Sequence, residues 1–515
     1  MNKTALTKTY TKDIQNSCLN SKKIVLSLAA ISFSASCTHA TLTPEIETYE
    51  EANRHAKARS GSRSKSSNNN KTISSLQNST QTVSNTGNTL VIESGGTITI
   101  SNGRQQAVNF TQDSSTSTFL NQGTLIGGNN AASVQLGANT NNGVTIETFN
   151  NQGIIGNGSS QFGVTVWGTN SSKSTINNFS NSGTIHSNTG ESIYFGNANI
   201  SSFANSGTIK SKQGAGVNIS QGTSIENFNN TGTIEGKSMG VNVRSTINTF
   251  VNDGLIAATN DGIRINANVK TLTNKGTIKG DGISIRLNGT IETLTNEGIM
   301  DGKSTGIYMN KGFVKTLTNS GTINQNNSVA WAAGIKLEHG STIENIINTG
   351  SIRSNAFGIS VTGGKFGTLT IKDGGQVYGK YSAIGVGRSQ TLGDLYIDGS
   401  SNNGRVSGIY SEENGIALDA NSQTQKIELK NGGIIKGKIH GIRLDNGASL
   451  SGEMILSGEG SRVEGGSGAG ILNRSGKITG SITIKDGATV TATSNQAIAN
   501  YRSGSITGGI TVSGK

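Results

Sequence analysis

The fold is decided by residues 246–289, which read TINTFVNDGLIAATNDGIRINA and then NVKTLTNKGTIKGDGISIRLNG, two segments of 22 residues. The segments align without a gap, and each contains the unit apolar-x-Asn-x-Gly-x-apolar. The apolar residues, the asparagine and the glycine of this unit are each two residues apart. Two residues is the period of a strand, so these side chains are expected on one face. Alternating pieces such as Gly262–Ile265 follow the unit. Each segment is therefore expected to hold two or three short strands separated by glycine-containing turns.

The same unit occurs ten times, at intervals of 22 to 30 residues. Its asparagines are Asn121, Asn151, Asn181, Asn205, Asn230, Asn252, Asn274, Asn296, Asn319 and Asn348. A cycle of this length that returns each strand above its predecessor predicts an all-β, single-stranded parallel β-helix solenoid. Stacked Phe, Leu and Ile residues would fill its core, and the asparagines would form an inward structural ladder from coil to coil. The glycine of the unit suits a position that is crowded or that has positive φ.

The unit persists in a diverged form after residue 360. Asn473–Gly487 realigns on Tyr501–Lys515 at an offset of 28 residues. We therefore predict N-x-G-x-I coils over residues 85–360 and diverged coils over residues 361–515, the last of which breaks off within a repeat. Roughly 17 coils at a spacing of about 4.8 Å would give a rod about 80 Å long.

Composition supports a repeat fold over several compact domains. The 515 residues include 72 Gly and only one Pro, with 14% charged and 32% hydrophobic residues. Without the repeat, such a chain would suggest disorder, whereas a solenoid needs few apolar residues per coil. Half of the formal charge of +12 lies in residues 1–73. Because the rest of the chain has no clustered basic face, nucleic acid is not expected as a partner.

Residues 1–40 have the pattern of a secretory signal peptide, with a basic region, an apolar run at residues 24–33 and small residues after it. Two processing sites remain open. Ser34–Cys37 resembles a lipoprotein box, which would make Cys37 a lipid attachment site. The alternative is cleavage after Ala40 by an ordinary signal peptidase, without lipid attachment. The apolar run is too short to span a bilayer. Residues 41–84 are polar, without an apolar period, and predict a flexible linker.

Signal peptide, linker and N-x-G coils together resemble autotransporter (type V secretion) passengers, particularly the Campylobacter-type autotransporter adhesion lipoproteins. The resemblance implies a right-handed helix, export to the outer membrane or cell surface, and adhesion to a host-cell or surface receptor. Family members end in a translocator β-barrel, and no such region is recognised before Lys515. Attachment to the outer membrane is then expected through a barrel outside this chain or through lipid, with the periplasm as the location if the barrel is not supplied. An inert or structural stalk, or the truncated remnant of a longer autotransporter, is the alternative.

Two stretches match the nucleophile-elbow pattern G-x-S-x-G, at Gly236–Gly240 and Gly302–Gly306. The pattern requires a strained strand-to-helix turn. Both copies occupy the same place in the repeat, so we predict ordinary turns. A phosphate loop is excluded, because its spacing is one residue short and no helix follows.

Other candidate groups do not form a catalytic pattern. The histidines are not paired at a metal-ligand spacing; they are His39, His55, His186, His339 and His440. Four aspartates recur where Asp suits tight turns; they are Asp253, Asp261, Asp281 and Asp301. No enzyme, cofactor or metal is therefore expected, and a polysaccharide-acting enzyme is the weaker alternative. Seven aromatic residues are predicted outside the core, either as contacts for glycans or membrane proteins or as isolated surface residues; they are Trp167, Tyr194, Tyr308, Trp331, Tyr378, Tyr396 and Tyr410.

Overall fold

A computed structural model describes residues 70–84, 86–111, 113–138, 142–327, 329, 331–400 and 404–513. The predicted signal peptide, Cys37, His39 and His55 lie outside the described residues. In the described ranges every regular element is a β-strand. A search of the same ranges found no helix with the length and apolarity needed to cross a membrane. Residues 69–515 form one compact unit.

Three parallel sheets run along this unit, and each coil contributes a strand to each sheet in turn. Strands of the first sheet are Lys71–Ile73, Thr86–Ile92, Ser115–Asn121, Thr145–Asn151, Ser174–Asn181, Ala198–Asn205, Ser224–Asn230, Thr246–Asn252, Asn268–Asn274, Thr290–Asn296, Phe313–Asn319, Ser341–Asn348, Gly364–Ile371, Thr391–Asp398, Gln423–Thr424, Ile427–Lys430, Ser449–Leu450, Met454–Ser457, Lys477–Ile478, Ile482–Lys485, Ser505–Ile506 and Ile510–Ser513.

The second and third sheets are built from shorter strands. Strands of the second sheet are Leu76–Gln77, Thr97–Thr99, Thr124–Ile126, Ile154–Ile155, Thr184–Ser187, Thr208–Ser211, Thr233–Gly236, Leu255–Ala258, Thr277–Gly280, Ile299–Gly302, Thr322–Gln325, Ser351–Ser354, Gln376–Gly379, Gly408–Ser411, Ile434–Gly437, Arg462–Gly465 and Thr489–Ala492. Strands of the third sheet are Gln81–Val83, Val108–Phe110, Ala132–Leu136, Phe162–Trp167, Ile193–Gly196, Val217–Ile219, Met239–Val243, Asp261–Ile265, Ile283–Leu287, Thr305–Asn310, Ala333–Glu338, Phe357–Val361, Ser382–Val386, Asn414–Leu418, His440–Asp445, Ile471–Arg474 and Ile498–Tyr501.

The predicted parallel β-helix is confirmed. Strands pair in parallel with the equivalent strands one coil away, so that Asn151 lies between Asn121 and Asn181 in register. The second and third sheets contain seventeen strands each over the described residues. At about 4.8 Å per step they form a rod close to 80 Å long.

An apolar core fills the rod from end to end. The phenylalanines of the Asn-x-Gly unit stack on one another, with ring centroids 4.5 Å apart for Phe149 and Phe179 and 4.4 Å apart for Phe228 and Phe250. Leucine and isoleucine occupy the same column in later coils, as Leu272 does above Phe250. Because each ring is covered by the next coil, a low apolar content is enough to exclude water.

The asparagine ladder lies inside this core. Nδ2 of each asparagine donates to Oδ1 of the next, at 2.6 to 2.8 Å. The structure brings all ten predicted residues together; they are Asn121, Asn151, Asn181, Asn205, Asn230, Asn252, Asn274, Asn296, Asn319 and Asn348. The next residues in the column are apolar, Ile92 on one side and Ile371 on the other. The ladder is therefore a bounded polar stack within an apolar core.

The glycine of the unit is required by crowding. A Cβ built on Gly254 would collide with the carbonyl oxygen of Gly232, and the same holds for Gly276 above Gly254. Neither residue has a positive φ. Of the two predicted reasons for this glycine, close approach of successive coils is the one that applies.

The solenoid begins earlier than predicted. Lys71–Ile73 pairs with Leu90–Ile92, and Ile73 is buried. The predicted linker boundary at residue 84 is thus wrong for residues 71–83, which form the first coil. This coil lacks the Asn-x-Gly unit, so its register is set by apolar alternation alone.

In the diverged coils, the turn between the first-sheet strand and the second-sheet strand has a different conformation. Asp373 and Gly374 both have positive φ, at 53° and 80°, and Asp486 and Gly487 repeat the pair at 55° and 81°. Asp and Gly are the residues that tolerate this left-handed conformation. A two-residue left-handed turn thus replaces the Asn-x-Gly corner of the earlier coils.

Candidate functional site

Charged and aromatic side chains form a column on the outer face of the third sheet. Arg264, Arg286, Tyr308 and Lys336 occupy equivalent positions on consecutive strands. Asp261 is buried beside them, and its Oδ2 accepts hydrogen bonds from Arg264 Nη2 at 2.6 Å and Arg286 Nε at 2.9 Å. The Arg286 guanidinium lies 4.9 Å from the ring centroid of Tyr308. These charged side chains are thus paired with one another along the rod.

The next members of the column are paired as well. Tyr308 Oη donates to Glu338 Oε2 at 2.7 Å, and Lys336 Nζ lies 2.7 Å from Glu338 Oε1. Partial burial and the hydrogen bond to Glu338 raise the pKa of Tyr308 to about 12. Burial alone would raise the pKa of Glu338, but the hydrogen bonds from Lys336 and Tyr308 outweigh it and lower the pKa. Glu338 is therefore a fixed carboxylate at neutral pH.

Beyond Lys336 the column changes from large to small side chains. Ser360, Gly385 and Ala417 take the equivalent positions on the next three strands, and Arg443 follows. The result is a cavity of about 350 Å³, which we call the third-sheet groove. Its floor is the three small residues, and a cation stands at each end.

Aromatic rings line one side of the third-sheet groove, where the strands begin. They belong to Trp331, Phe357 and Tyr381. Trp331 is 59% exposed, and Lys336 Nζ lies 5.6 Å from its ring centroid. The Phe357 and Tyr381 centroids are 6.1 Å apart. A Cβ built on Gly385 would lie 2.8 Å from Phe357 Cδ1, so the glycine allows this ring to lie against the floor.

Polar side chains complete the lining. Thr362 and Asp419 lie where the strands end, and Glu413 follows Tyr381 on the aromatic side. Partial burial raises the pKa of Asp419, against the opposing effect of Arg443. Arg443 Nη2 is 2.9 Å from Asp445 Oδ2, and Arg474 Nε donates to Asp445 Oδ1 at 2.7 Å. Arg443 is therefore paired with a carboxylate that it shares with Arg474.

Two buried polar atoms in the third-sheet groove have no hydrogen-bond partner among the residues that the structure describes. They are Oδ1 of Asn414, whose residue is 4% exposed, and Nε of Arg443. An unpaired buried polar group costs about 1–3 kcal/mol, so a native structure rarely keeps two in one place without a reason. These atoms offer one acceptor and one donor to a bound molecule.

A second depression lies on the outer face of the second sheet, with a volume of about 520 Å³. Two of its charged residues, Lys210 and Glu235, pair with each other at 2.7 Å, and Asp281 pairs at 3.0 Å with Lys303 outside the lining. None of its lining residues holds a buried atom without a partner. The third-sheet groove is the stronger candidate for a binding site.

The predicted surface aromatics all lie outside the core, and one of them, Trp331, lines the third-sheet groove. Tyr308 lies next to that groove in the paired column. Trp167 and Tyr194 contact each other elsewhere on the same sheet, with centroids 4.4 Å apart. The remaining three are Tyr378, Tyr396 and Tyr410, which are half-buried.

Phe357 was missed as a groove residue because phenylalanine was expected to be inward, and Tyr381 was not among the predicted surface aromatics. Phe357 directly precedes a Gly-Ile pair, as Asp261 and Thr305 do. That shared position is the signal that places it outside the core.

Both G-x-S-x-G stretches are turns between the second and third sheets, as predicted. Residues 237–238 and 303–304 join Thr233–Gly236 to Met239–Val243 and Ile299–Gly302 to Thr305–Asn310. Ser304 Oγ donates to the Gly282 carbonyl at 2.7 Å. This serine therefore supports the neighbouring coil.

The histidines of the described ranges are far apart in sequence and fold. His440 Nδ1 accepts a hydrogen bond from the Ala469 amide at 2.9 Å, and burial, then the charge of Arg443, lowers its pKa. Burial, then Lys212 and Lys210, lowers the pKa of His186. His339 is exposed beside Glu338.

The predicted turn aspartates differ in their surroundings. Asp253 is exposed, Asp281 is paired with Lys303, and Asp301 accepts hydrogen bonds from Asn324 and Asn326. The turn prediction is wrong for two of them. Asp261 begins a strand and is buried between two arginines, and Asp301 lies within the strand Ile299–Gly302. Within the described part of the chain, no group of three or more His, Cys, Asp or Glu residues could hold a metal ion.

Comparison of the chain with protein-family models, curated proteins and solved structures found no match.

Proposed function

We propose that this chain is an exported, surface-displayed adhesin of the autotransporter passenger type, which binds a receptor on host cells or another surface. The proposal of export rests on the pattern of residues 1–40. The proposal of binding rests on the third-sheet groove. A long rod suits this role, since it holds a site away from the membrane that anchors it.

The single observation that carries the binding function is the pair of unpartnered atoms, Asn414 Oδ1 and Arg443 Nε, in a concave, aromatic-lined surface. Sites for ligands combine apolar walls with a few convergent polar groups, and this groove has both. Elsewhere in the column, as at Asp261 and Glu338, the charged groups satisfy one another. Thr165 Oγ1 and Asn242 Oδ1 are also buried without a partner in this column, but neither residue lines the third-sheet groove.

Adhesion is tested with beads coated with the purified full-length chain and incubated with cultured epithelial cells. The informative variant is Ala417→Leu, which adds three carbon atoms to the groove floor. Leu472 occupies the same outward column next to Arg443, so the sheet accepts a leucine there. The matched control is Ala257→Leu, on the outer face of the second sheet, which also tests the second depression because Ala257 lies in its lining.

We expect beads with the natural chain and with Ala257→Leu to bind cells, and beads with Ala417→Leu to lose most of that binding. Absence of binding by the natural chain would favour a structural stalk. Equal binding by Ala417→Leu would place adhesion on another surface. Export is tested separately, by adding protease to intact bacteria and following an epitope near residue 300. Protection of the epitope until the outer membrane is opened would contradict surface display.

A further inference from the structure

We infer that the third-sheet groove binds a neutral saccharide, of one or two sugar rings, as the receptor group of the proposed adhesin. The inference rests on the proposed binding function and adds to it the chemical class of the ligand. Its first support is size, since 350 Å³ lies at the lower end of the range of about 300–1,000 Å³ for small-molecule sites.

The shape of the third-sheet groove suits a flat ring. The small floor residues leave space between the cations at the two ends, Lys336 and Arg443. Aromatic side chains present apolar faces at the edge of this space, above all the exposed ring of Trp331. A pyranose ring has an apolar face of C–H groups and a rim of hydroxyls, so it can cover an aromatic ring while its rim reaches polar groups.

The two unpartnered atoms identify the polar chemistry of the ligand. Asn414 Oδ1 needs a donor, and Arg443 Nε needs an acceptor. A hydroxyl group is both a donor and an acceptor, whereas a carboxylate only accepts. A ring that carries several hydroxyls therefore satisfies both atoms at once.

The charge balance favours a neutral ligand over an acidic one. Lys336 is paired with Glu338, and Arg443 with Asp445. Glu413 and Asp419 add further carboxylates to the lining. The charged residues of the lining are two cations, Lys336 and Arg443, and these two carboxylates, so the groove has no surplus of positive charge for an anionic sugar.

Binding is measured with the full-length chain by isothermal titration calorimetry and by the fluorescence of Trp331. The probes are an array of neutral mono- and oligosaccharides of glucose, galactose, mannose and N-acetylhexosamines, with sialyllactose and a proline-rich peptide as other classes. Trp167 is the second tryptophan, so the fluorescence change must disappear in Trp331→Phe.

We expect at least one neutral saccharide to bind, with Kd raised tenfold or more by Ala417→Leu and by Asn414→Leu, and unchanged by Ala257→Leu. Far-UV circular dichroism checks that each variant is folded. The inference is overturned if no neutral saccharide binds at concentrations up to about 10 mM, or if only sialyllactose or the peptide binds. It is also overturned if Ala417→Leu binds the saccharide as well as the natural chain does.

Failure of this inference is distinguished from failure of the proposed function by periodate treatment of the target cells, which oxidises sugar diols. Loss of bead adhesion after periodate supports the saccharide. Adhesion that survives periodate but is lost in Ala417→Leu overturns the saccharide and keeps the adhesin. Saccharide binding by the purified chain without adhesion of beads to cells overturns the adhesin and keeps the site.

Discussion

At the scale of single residues, asparagines inside the ladder remain in the core because each amide is satisfied by its neighbours. At the end of the ladder, the buried Oδ1 of Asn121 has no partner among the described residues. Asn252 Oδ1 accepts from Asn230, and its Nδ2 donates to Asn274 and to the Gly254 carbonyl. A fully satisfied polar network is stable in a low-dielectric interior, and a partly satisfied one is not. The ladder should therefore be sensitive to a single deletion.

Replacement of Asn252 by alanine tests this sensitivity. The change removes the donor to Asn274 Oδ1 and opens a small cavity. It also removes the shortest hydrogen bond of Asn230 Nδ2, which keeps its bonds to the Gly232 and Leu255 carbonyls. We expect the free energy of unfolding to fall by about 2 kcal/mol or more, at about 1–3 kcal/mol for each orphaned buried group. Urea denaturation measures it, with the exposed Asn227→Ala as the control. Equal effects of the two substitutions would contradict a stabilising ladder.

The pH dependence of stability is set near neutrality by two histidines. The pKa values of His440 and His186 are lowered in the folded chain, mainly by burial. In the unfolded chain the two histidines have an ordinary pKa of about 6.5 and bind protons more readily than in the folded chain. The folded state is therefore at its most stable, with respect to these groups, above about pH 6.5, and it loses stability as the pH falls through that value.

We expect the Tm of the natural chain to fall between pH 7.5 and pH 5.5, and His440→Asn to reduce that fall. An asparagine can still accept the hydrogen bond from the Ala469 amide but does not titrate. This window lies above the range of Glu338 and Glu464, whose lowered pKa values affect stability only in acid. Thermal unfolding at the two pH values measures the effect, and an unchanged Tm difference in the variant would refute it.

At the scale of the element, the Asn-x-Gly turn of one coil packs closely against the same turn of the adjacent coil. Gly254→Ala would place a methyl group against the backbone of Gly232, and a backbone atom cannot rotate away. We expect a loss of about 1–3 kcal/mol in stability, the usual effect of overpacking. Gly95→Ala is the control, because its nearest neighbour is a carbonyl oxygen 3.3 Å away. A similar loss in both variants, measured in urea, would count against close approach as the cause.

Strands could be predicted from the sequence where the same residue type recurs at the same position of each coil. Asparagine and glycine two residues apart identified ten coils and the correct register between them. The first coil was missed because Lys71–Ile73 contains neither residue. The groove floor was missed for a different reason. No sequence pattern distinguishes the three floor residues, Ser360, Gly385 and Ala417, within their own coils. They become neighbours only through the pairing of coils of unequal length.

At the scale of the whole molecule, the rod is a one-dimensional array in which each coil contacts its two neighbours. Stability in such an array is a sum of coil and interface contributions, and the ends open first. The coils of Thr246–Asn319 combine the ladder with nearly constant length. They should be the most protected part of the rod.

Amide hydrogen exchange followed by mass spectrometry tests this expectation on the full-length chain. We expect the strands of Thr246–Asn252 to Phe313–Asn319 to exchange most slowly, and those of Lys71–Ile73 and Ile510–Ser513 to exchange fastest. In the terminal coils, Val512 is 69% exposed. A uniform rate along the rod would show instead that it opens as a single cooperative unit.

The bounded asparagine ladder also bears on how such a gene can change. Coils inside the ladder present the same contacts above and below, so one 22-residue coil can be duplicated or deleted there and the stack closes again. The third-sheet groove draws its residues from successive non-identical coils, and an insertion among them would divide it. Recombination among the ladder coils of Thr246–Asn319, which precede every residue of the groove, would therefore change the length of the rod while the groove is inherited intact. Selection could then act on reach and on recognition separately.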